Sequence, residues 1–299
     1  MHIFMGLAET VLKEGLVYGI MAMGVYITYK ILNFPDLSVD GTFPLGACVA
    51  AACISHGMDP WLACVCAILA GAAAGCVTGF LHVKLGITDL LSGILVMTAM
   101  WSVNLIITGG SAILQFFNRP TIFGMGGHFR GTPVYMHRQL IIVLIIAIVV
   151  RVLLGLYLST KNGLLLRASG NNSQYVINLG RDPGQMKILG LAIGNGCVAL
   201  AGCVFAQMYE NADVNSGKGM VVMALASVII GLALFKRLSF LSFVTMAVLG
   251  SIVYKACLMI ALQLGLPNTY LKLLMAILLT IAIVSEKLGK GGQNDERTH

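Results

Sequence analysis

In a chain of 299 residues that is 58% hydrophobic and 10% charged, the few polar side chains inside apolar runs are where chemistry could reside. The densest group is Asn33-Phe34-Pro35-Asp36-Leu37-Ser38-Val39-Asp40-Gly41-Thr42. Two acids and an amide this close together are costly in a bilayer unless they face water or protein partners. Asn33, Asp36, Ser38, Asp40 and Thr42 are therefore candidates to line a translocation path. The alternative is a structural break satisfied by capping, with Ser38 and Asp40 capping a helix that starts near Thr42. Asp89, which could equally cap a helix, and the uncharged Asn104, Asn195 and Gln207 are further path candidates, although in-span amides commonly serve as interhelical hydrogen bonds. Arg151 and Lys255 fall near the middle of apolar runs, where snorkelling is difficult and an acid or wet surface is required.

Enzymatic chemistry finds no support. His2, His56, His82, His128, His137 and His299 are scattered with no HExxH, which leaves no expected catalytic residue or metal site. Gly217-Lys218 and Gly289-Lys290 are each followed by Gly and lack the upstream glycine of a phosphate-cradling loop. No phosphate-binding loop, and with it no cofactor, is expected on this chain. The eight cysteines include no CxxC and read as small buried hydrophobes.

A soluble domain carries roughly 25% charged residues; this chain's 10% and its mean hydropathy of +0.90 exclude one. The expected fold class is an all-α, polytopic membrane helical bundle forming a single membrane domain over 1–299. Nine spans are expected, at 10–32, 44–56, 60–83, 90–109, 139–160, 188–209, 219–235, 239–264 and 269–285. The second is short and follows the polar break, the pattern of a broken or re-entrant element. Small residues spaced by four, Gly71, Gly75 and Gly79, mark a face for close helix packing, inside the chain or between subunits. If 161–187 is cytoplasmic, eleven of the 19 basic residues lie inside and six outside. That count places the N-terminus outside and the C-terminus, with a tail at 286–299, in the cytoplasm.

Two loops are too long to be connectors. Ser159 to Lys187 has helical patterning where about 2–8 residues would suffice, which predicts a docking surface or an interfacial helix on lipid headgroups. The outer loop at 110–138 holds Phe116, Phe117, Arg119 and Arg130, residue types that anchor interfaces. It is expected either to dock a binding protein or to pack as a lid.

The run Thr160-Lys161-Asn162-Gly163, Leu166-Arg167-Ala168-Ser169-Gly170-Asn171-Asn172 and Leu179-Gly180 resembles the cytoplasmic coupling loop of branched-chain amino-acid-type ABC importer permeases. Leu32-Asn33-Phe34-Pro35 through Leu45-Gly46-Ala47 resembles the N-terminal segment of that family. The form FPDLSVDGTFPLGA is similar to a subgroup of tryptophan- and tyrosine-type importers. Residues 190–207 and 226–235 look like further family blocks, with Gly194-Asn195-Gly196 standing where a Ser-Gly pair is more usual. The resemblance implies a type II ABC importer-like bundle in a bacterial-type inner membrane. It implies a permease dimer, two ATPase subunits docked on the 158–187 loop, and an external solute-binding protein that delivers a small solute such as an aromatic or branched-chain amino acid. Gly163, Leu164, Leu165, Leu166, Arg167, Ala168, Gly170, Asn171, Asn172 and Gly180 would form the ATPase-coupling surface, with the three leucines as an apolar ridge in a groove. The rival class is an ion-coupled secondary transporter or channel, relaying ions through Asp36, Asp40, Asp89, Arg151 and Lys255. That reading leaves the long inner loop without a role.

Overall fold

The computed structural model describes residues 2–124, 137–235, 238, 241–265, 267, 270–271, 273–281 and 283–284. It is helical throughout apart from one short ladder. Helix α1 (His2–Val25) ends in a π-helical turn at Tyr26–Ile31. It is followed by α2 (Val39–Ser55), α3 (Pro60–Val83) and α4 (Asp89–Ile107). Strand β1 (Ile113–Gln115) then leads to α5 (Arg138–Ser159), α6 (Lys161–Asn171), α7 (Ser173–Asn178) and α8 (Pro183–Tyr209). After β2 (Asn211–Asp213) and a 3-10 turn at Val214–Gly217 come α9 (Met220–Phe235), α10 (Phe243–Gln263) and a last helical stretch, α11, over 273–281.

Helix starts follow local chemistry. Asp59 accepts from the Trp61 amide with Pro60 in the first turn, and Asp182 accepts from Gly184 ahead of α8 with Pro183 in the same place. A carboxylate there satisfies an orphan N–H, and proline loses nothing because its missing N–H would have had no partner. Thr160, Asn172 and Ser242 cap α6, α7 and α10 in the same way.

Among the described residues, seven helical segments are long and apolar enough to cross a membrane. The 17-residue α2 and the α11 stretch occupy the other two expected positions. Two helical windows are mostly buried, those of α1 and α8, at 72% each, whereas α4 and α5 are at 22%. The core is thus α8 wrapped by α1, α2 and α3, with α4 and α5 outside. Close approach makes this possible. A Cβ at Gly75 would overlap the Leu191 carbonyl, one at Gly71 would lie 2.5 Å from the Asn195 carbonyl oxygen, and one at Gly79 would lie 2.8 Å from Ile188 Cα. The Gly71-Gly75-Gly79 face therefore packs on α8 within the chain, where van der Waals contact replaces a hydrophobic drive that lipid cannot supply. Gly46 and Gly202 do the same between α2 and α8, against the Ala199 and Phe43 carbonyls.

The mid-span cations have partners. Lys255 on α10 pairs with Glu14 on α1 and lies over the Tyr18 ring, and Glu14 also accepts from the Tyr209 hydroxyl. Arg151 Nε donates to Thr245 Oγ1 at 3.0 Å. At the end of the bundle opposite α6 and α7, β1 and β2 form an antiparallel ladder, with Leu114 opposite Ala212. This joins the 110–138 loop to the end of α8.

Candidate functional site

The polar break is shorter than the sequence pattern suggested. α2 begins at Val39, so only 33–38 is irregular, and Asp40 and Thr42 lie inside the helix. Asn33 takes a left-handed conformation at φ 52° and its Nδ2 donates to the Gly170 carbonyl, 3.0 Å away on α6. Asp36 is 4% exposed; one carboxylate oxygen accepts from the Ser38 amide at 2.8 Å, the other from Asn195 Nδ2 at 2.7 Å. Ser38 Oγ donates to Asn195 Oδ1, and Asn195 Nδ2 also donates to the Leu191 carbonyl. Thr42 Oγ1 donates to the Ser38 carbonyl. Asp36, Ser38, Thr42 and Asn195 are all buried, so they form a closed network clamping the break to the middle of α8. Asn195 donates twice, to the Asp36 carboxylate and the Leu191 carbonyl, and accepts from the Ser38 hydroxyl; a serine, with a single O–H, could donate only once.

Ser38 sits at the start of α2 without a side-chain capping bond; its hydroxyl is committed to Asn195. Asp40 caps a different helix. Its carboxylate accepts from the Gly219 amide at 3.1 Å and the Val221 amide at 2.7 Å, at the start of α9. A negative group there satisfies orphan donors and complements the helix dipole. The sequence separation of about 180 residues hid this cap, as no local pattern links the two.

The remaining path candidates separate. Gln207 Oε1 accepts from the Ile122 amide at 3.0 Å and Nε2 donates to the Pro60 carbonyl, so it pins the outer loop to α8 and α3. Asp89 is the first residue of α4, half-buried, with its carboxylate on the Leu90 amide. Asn104 is fully buried near the other end of α4. Its Nδ2 donates to the Gly41 carbonyl at 3.2 Å, and its Oδ1 has no partner among the described residues.

At the α6–α7 end, Leu166 is fully buried among Leu32 and Gly190, while Leu164 is 56% exposed and Leu165 intermediate. The three leucines therefore do not form one ridge. Gly163 and Gly170 are pressed against the Tyr157 and Ile31 carbonyls, where a Cβ would overlap. Arg167, Asn171, Asn172 and Gly180 face out, and Ala168 is partly covered. A shallow cleft of about 330 Å³ lies between the two short helices, lined by Lys161, Leu164, Leu165, Tyr175, Leu179 and Arg181. Tyr175 and Arg181 escaped sequence reasoning, because only the turn at Asn172 folds α7 back toward α6. In the outer loop Phe116 is buried, Phe117 and Arg119 are exposed, and Arg130 lies outside the described residues.

Residues 7–284 match the family model described as branched-chain amino acid transport system / permease component. The chain belongs to this family. It is 41% identical over 93% of its length, and 91% of the relative's, to the tyrosine transport system permease protein of Clostridioides difficile. It is 26% identical to the ribose import permease protein RbsC of Escherichia coli K12, covering 74% of this chain and 67% of that one. Among solved structures it is similar in fold to a chain of PsaBC from Streptococcus pneumoniae in complex with Fab, at a TM-score of 0.52, 12% identity, and coverage of 91% and 89%. As a member, the protein is a multi-pass ABC importer permease and not itself an enzyme. Such a permease works with ATPase and solute-binding partners.

Proposed function

We propose that this permease imports an aromatic amino acid, tyrosine foremost. The observation that carries this reading is the 41% identity, over nine tenths of both chains, to a permease named for tyrosine transport. The polar break held by Asn195 and the exposed face of α6–α7 are the matching structural parts. One would hold the re-entrant segment at the centre of the bundle, the other would receive an ATPase subunit.

In this reading two copies of the chain pair in the membrane. Each offers Leu164, Leu165, Arg167, Tyr175 and Leu179 to one ATPase, with Arg167 setting orientation and the apolar side chains entering a groove. Leu166, Gly163 and Gly170 anchor α6 to the bundle, so that a push on the exposed face moves α1 and α8 as well. ATP and Mg are bound by the ATPase. The ladder end, with Phe117 and Arg119 outward, receives the binding protein, which places the N-terminus outside and α6–α7 in the cytoplasm. The ion-relay alternative is weakened because Asp36, Arg151 and Lys255 are each occupied by specific partners.

Reconstitution decides the matter. Liposomes holding the permease, its ATPase and its solute-binding protein should take up L-tyrosine only with ATP on the ATPase side. Gradient-driven uptake by this chain alone would overturn the importer reading, and ATP-driven uptake of a sugar but no amino acid would overturn the substrate.

A further inference from the structure

Two thiols face each other between α3 and α8. The Cys203 thiol donates to Cys64 Sγ at 3.6 Å, and the Gln207 side-chain amide donates to both sulfurs at 3.4 Å. Cys64 is the fifth residue of α3 and Cys203 stands six residues before the end of α8. At roughly 1.5 Å per residue, both lie about 6–9 Å inside the ladder end of the bundle.

The pair continues the seam that holds these helices together. Gly79 is apposed to Ile188, Gly75 to Leu191 and Gly71 to Asn195. Two turns further along both helices, the same antiparallel register brings Cys64 opposite Cys203. A disulfide needs Cα atoms within roughly 4.4–6.8 Å and a sulfur separation of about 2 Å. Helices packed backbone to backbone supply the first condition, and side-chain rotation from 3.6 Å supplies the second. The two sulfurs are not equivalent. Cys64 Sγ accepts from both Cys203 and Gln207, so two donors support the charge it carries as a nucleophile. Cys64 is 6% exposed and Cys203 fully buried, so the oxidant must be small and meets Cys64 first.

We infer that Cys64 and Cys203 are a peroxide-sensitive dithiol that closes to a disulfide and staples α3 to α8. The Cys64 sulfur attacks one oxygen of a hydroperoxide, the O–O bond breaks, and the released hydroxide takes the Cys64 proton to leave as water. Cys64 is then a sulfenic acid. The Cys203 sulfur attacks the Cys64 sulfur, the S–O bond breaks, and hydroxide leaves with the Cys203 proton as a second water. Two thiols have lost two electrons to the peroxide, and a dithiol reductant reverses the bond by exchange. Because the cysteines are 139 positions apart, the bond closes a long loop and restricts the unfolded chain.

The test exposes the detergent-solubilised full chain to hydrogen peroxide, in a Ser111→Cys background whose exposed thiol reports that the oxidant has acted. Iodoacetamide in denaturant and non-reducing peptide mass spectrometry follow. Joined peptides carrying Cys64 and Cys203 are expected, two hydrogens lighter than their sum and released by dithiothreitol. With Cys203→Ala, dimedone should trap a sulfenic acid on Cys64; with Cys64→Ala, Cys203 should stay a thiol. The linked protein should melt at a higher temperature than the reduced one, a shift that Cys203→Ala should lack. Full alkylation of Cys64 and Cys203 after position 111 is oxidised, or linkage of Cys64 to Cys53 or Cys66 instead, would overturn the pair. A sulfenic acid on Cys203 in Cys64→Ala would overturn the assigned roles, and linkage without a rise in melting temperature would overturn the staple.

Discussion

Asn195 shows how one amide can hold a broken membrane segment. It satisfies Asp36 and Ser38 together, and without it a buried carboxylate would keep the Ser38 amide as its remaining bond of those described. Leaving a charged acceptor short of partners costs about 2 kcal/mol or more. Asn195→Leu should therefore lower the melting temperature of the detergent-solubilised protein clearly. Asp36→Asn introduced into that variant should recover part of the loss, since a neutral amide is cheaper to bury. Equal melting of Asn195→Leu and wild type would remove the clamp from the account. The polar residues themselves were visible in the sequence, but their roles were not. Asp40 reads locally as a cap for its own helix and in fact caps α9, and Gln207 reads as a helix-packing amide and in fact holds Ile122. A side chain's partner is set by proximity in space, which residue type does not encode.

At the scale of the element, α6 divides into an anchored and a presented face. Leu166 is fully buried, so Leu166→Ala should destabilise the protein by about 2–5 kcal/mol. Leu164→Asp and Arg167→Glu change exposed positions and should alter stability by no more than about 0.5 kcal/mol. If the face receives the ATPase, both should sharply reduce its co-purification; full complex formation with Arg167→Glu would count against that surface. The glycines separate in the same way. Gly75→Val would drive a side chain into the Leu191 carbonyl and should prevent normal packing of α3 on α8, seen as loss of a monodisperse species in gel filtration. Gly155 on α5 has open space at its Cβ, and Gly155→Ala should be neutral or stabilise by about 0.5–1 kcal/mol. In the sequence both glycines look alike within apolar runs; only the neighbouring backbone distinguishes them.

For the whole molecule, α6–α7 and the β1–β2 ladder lie at opposite ends of the bundle, so they should face opposite compartments. Asn162→Cys and Ser111→Cys, both exposed positions, should react with a membrane-impermeant maleimide from different sides: Ser111 in intact cells, and Asn162 once the cytoplasmic face is opened. Labelling of Asn162 in intact cells would reverse the orientation derived from the basic residues. The sequence by itself determined the class of protein and the number of apolar runs, because length and hydropathy along a chain are what a bilayer selects. It also determined the family, through the run from Thr160 to Gly180. Tertiary structure alone decided that the break ends at Val39, that Leu166 faces inward, that Lys255 meets Glu14, and that Cys64 lies against Cys203. Each of these depends on which helix faces which. In a bundle whose every helix is apolar, that arrangement is set by close-packed glycines and a handful of polar bonds between residues far apart in the chain.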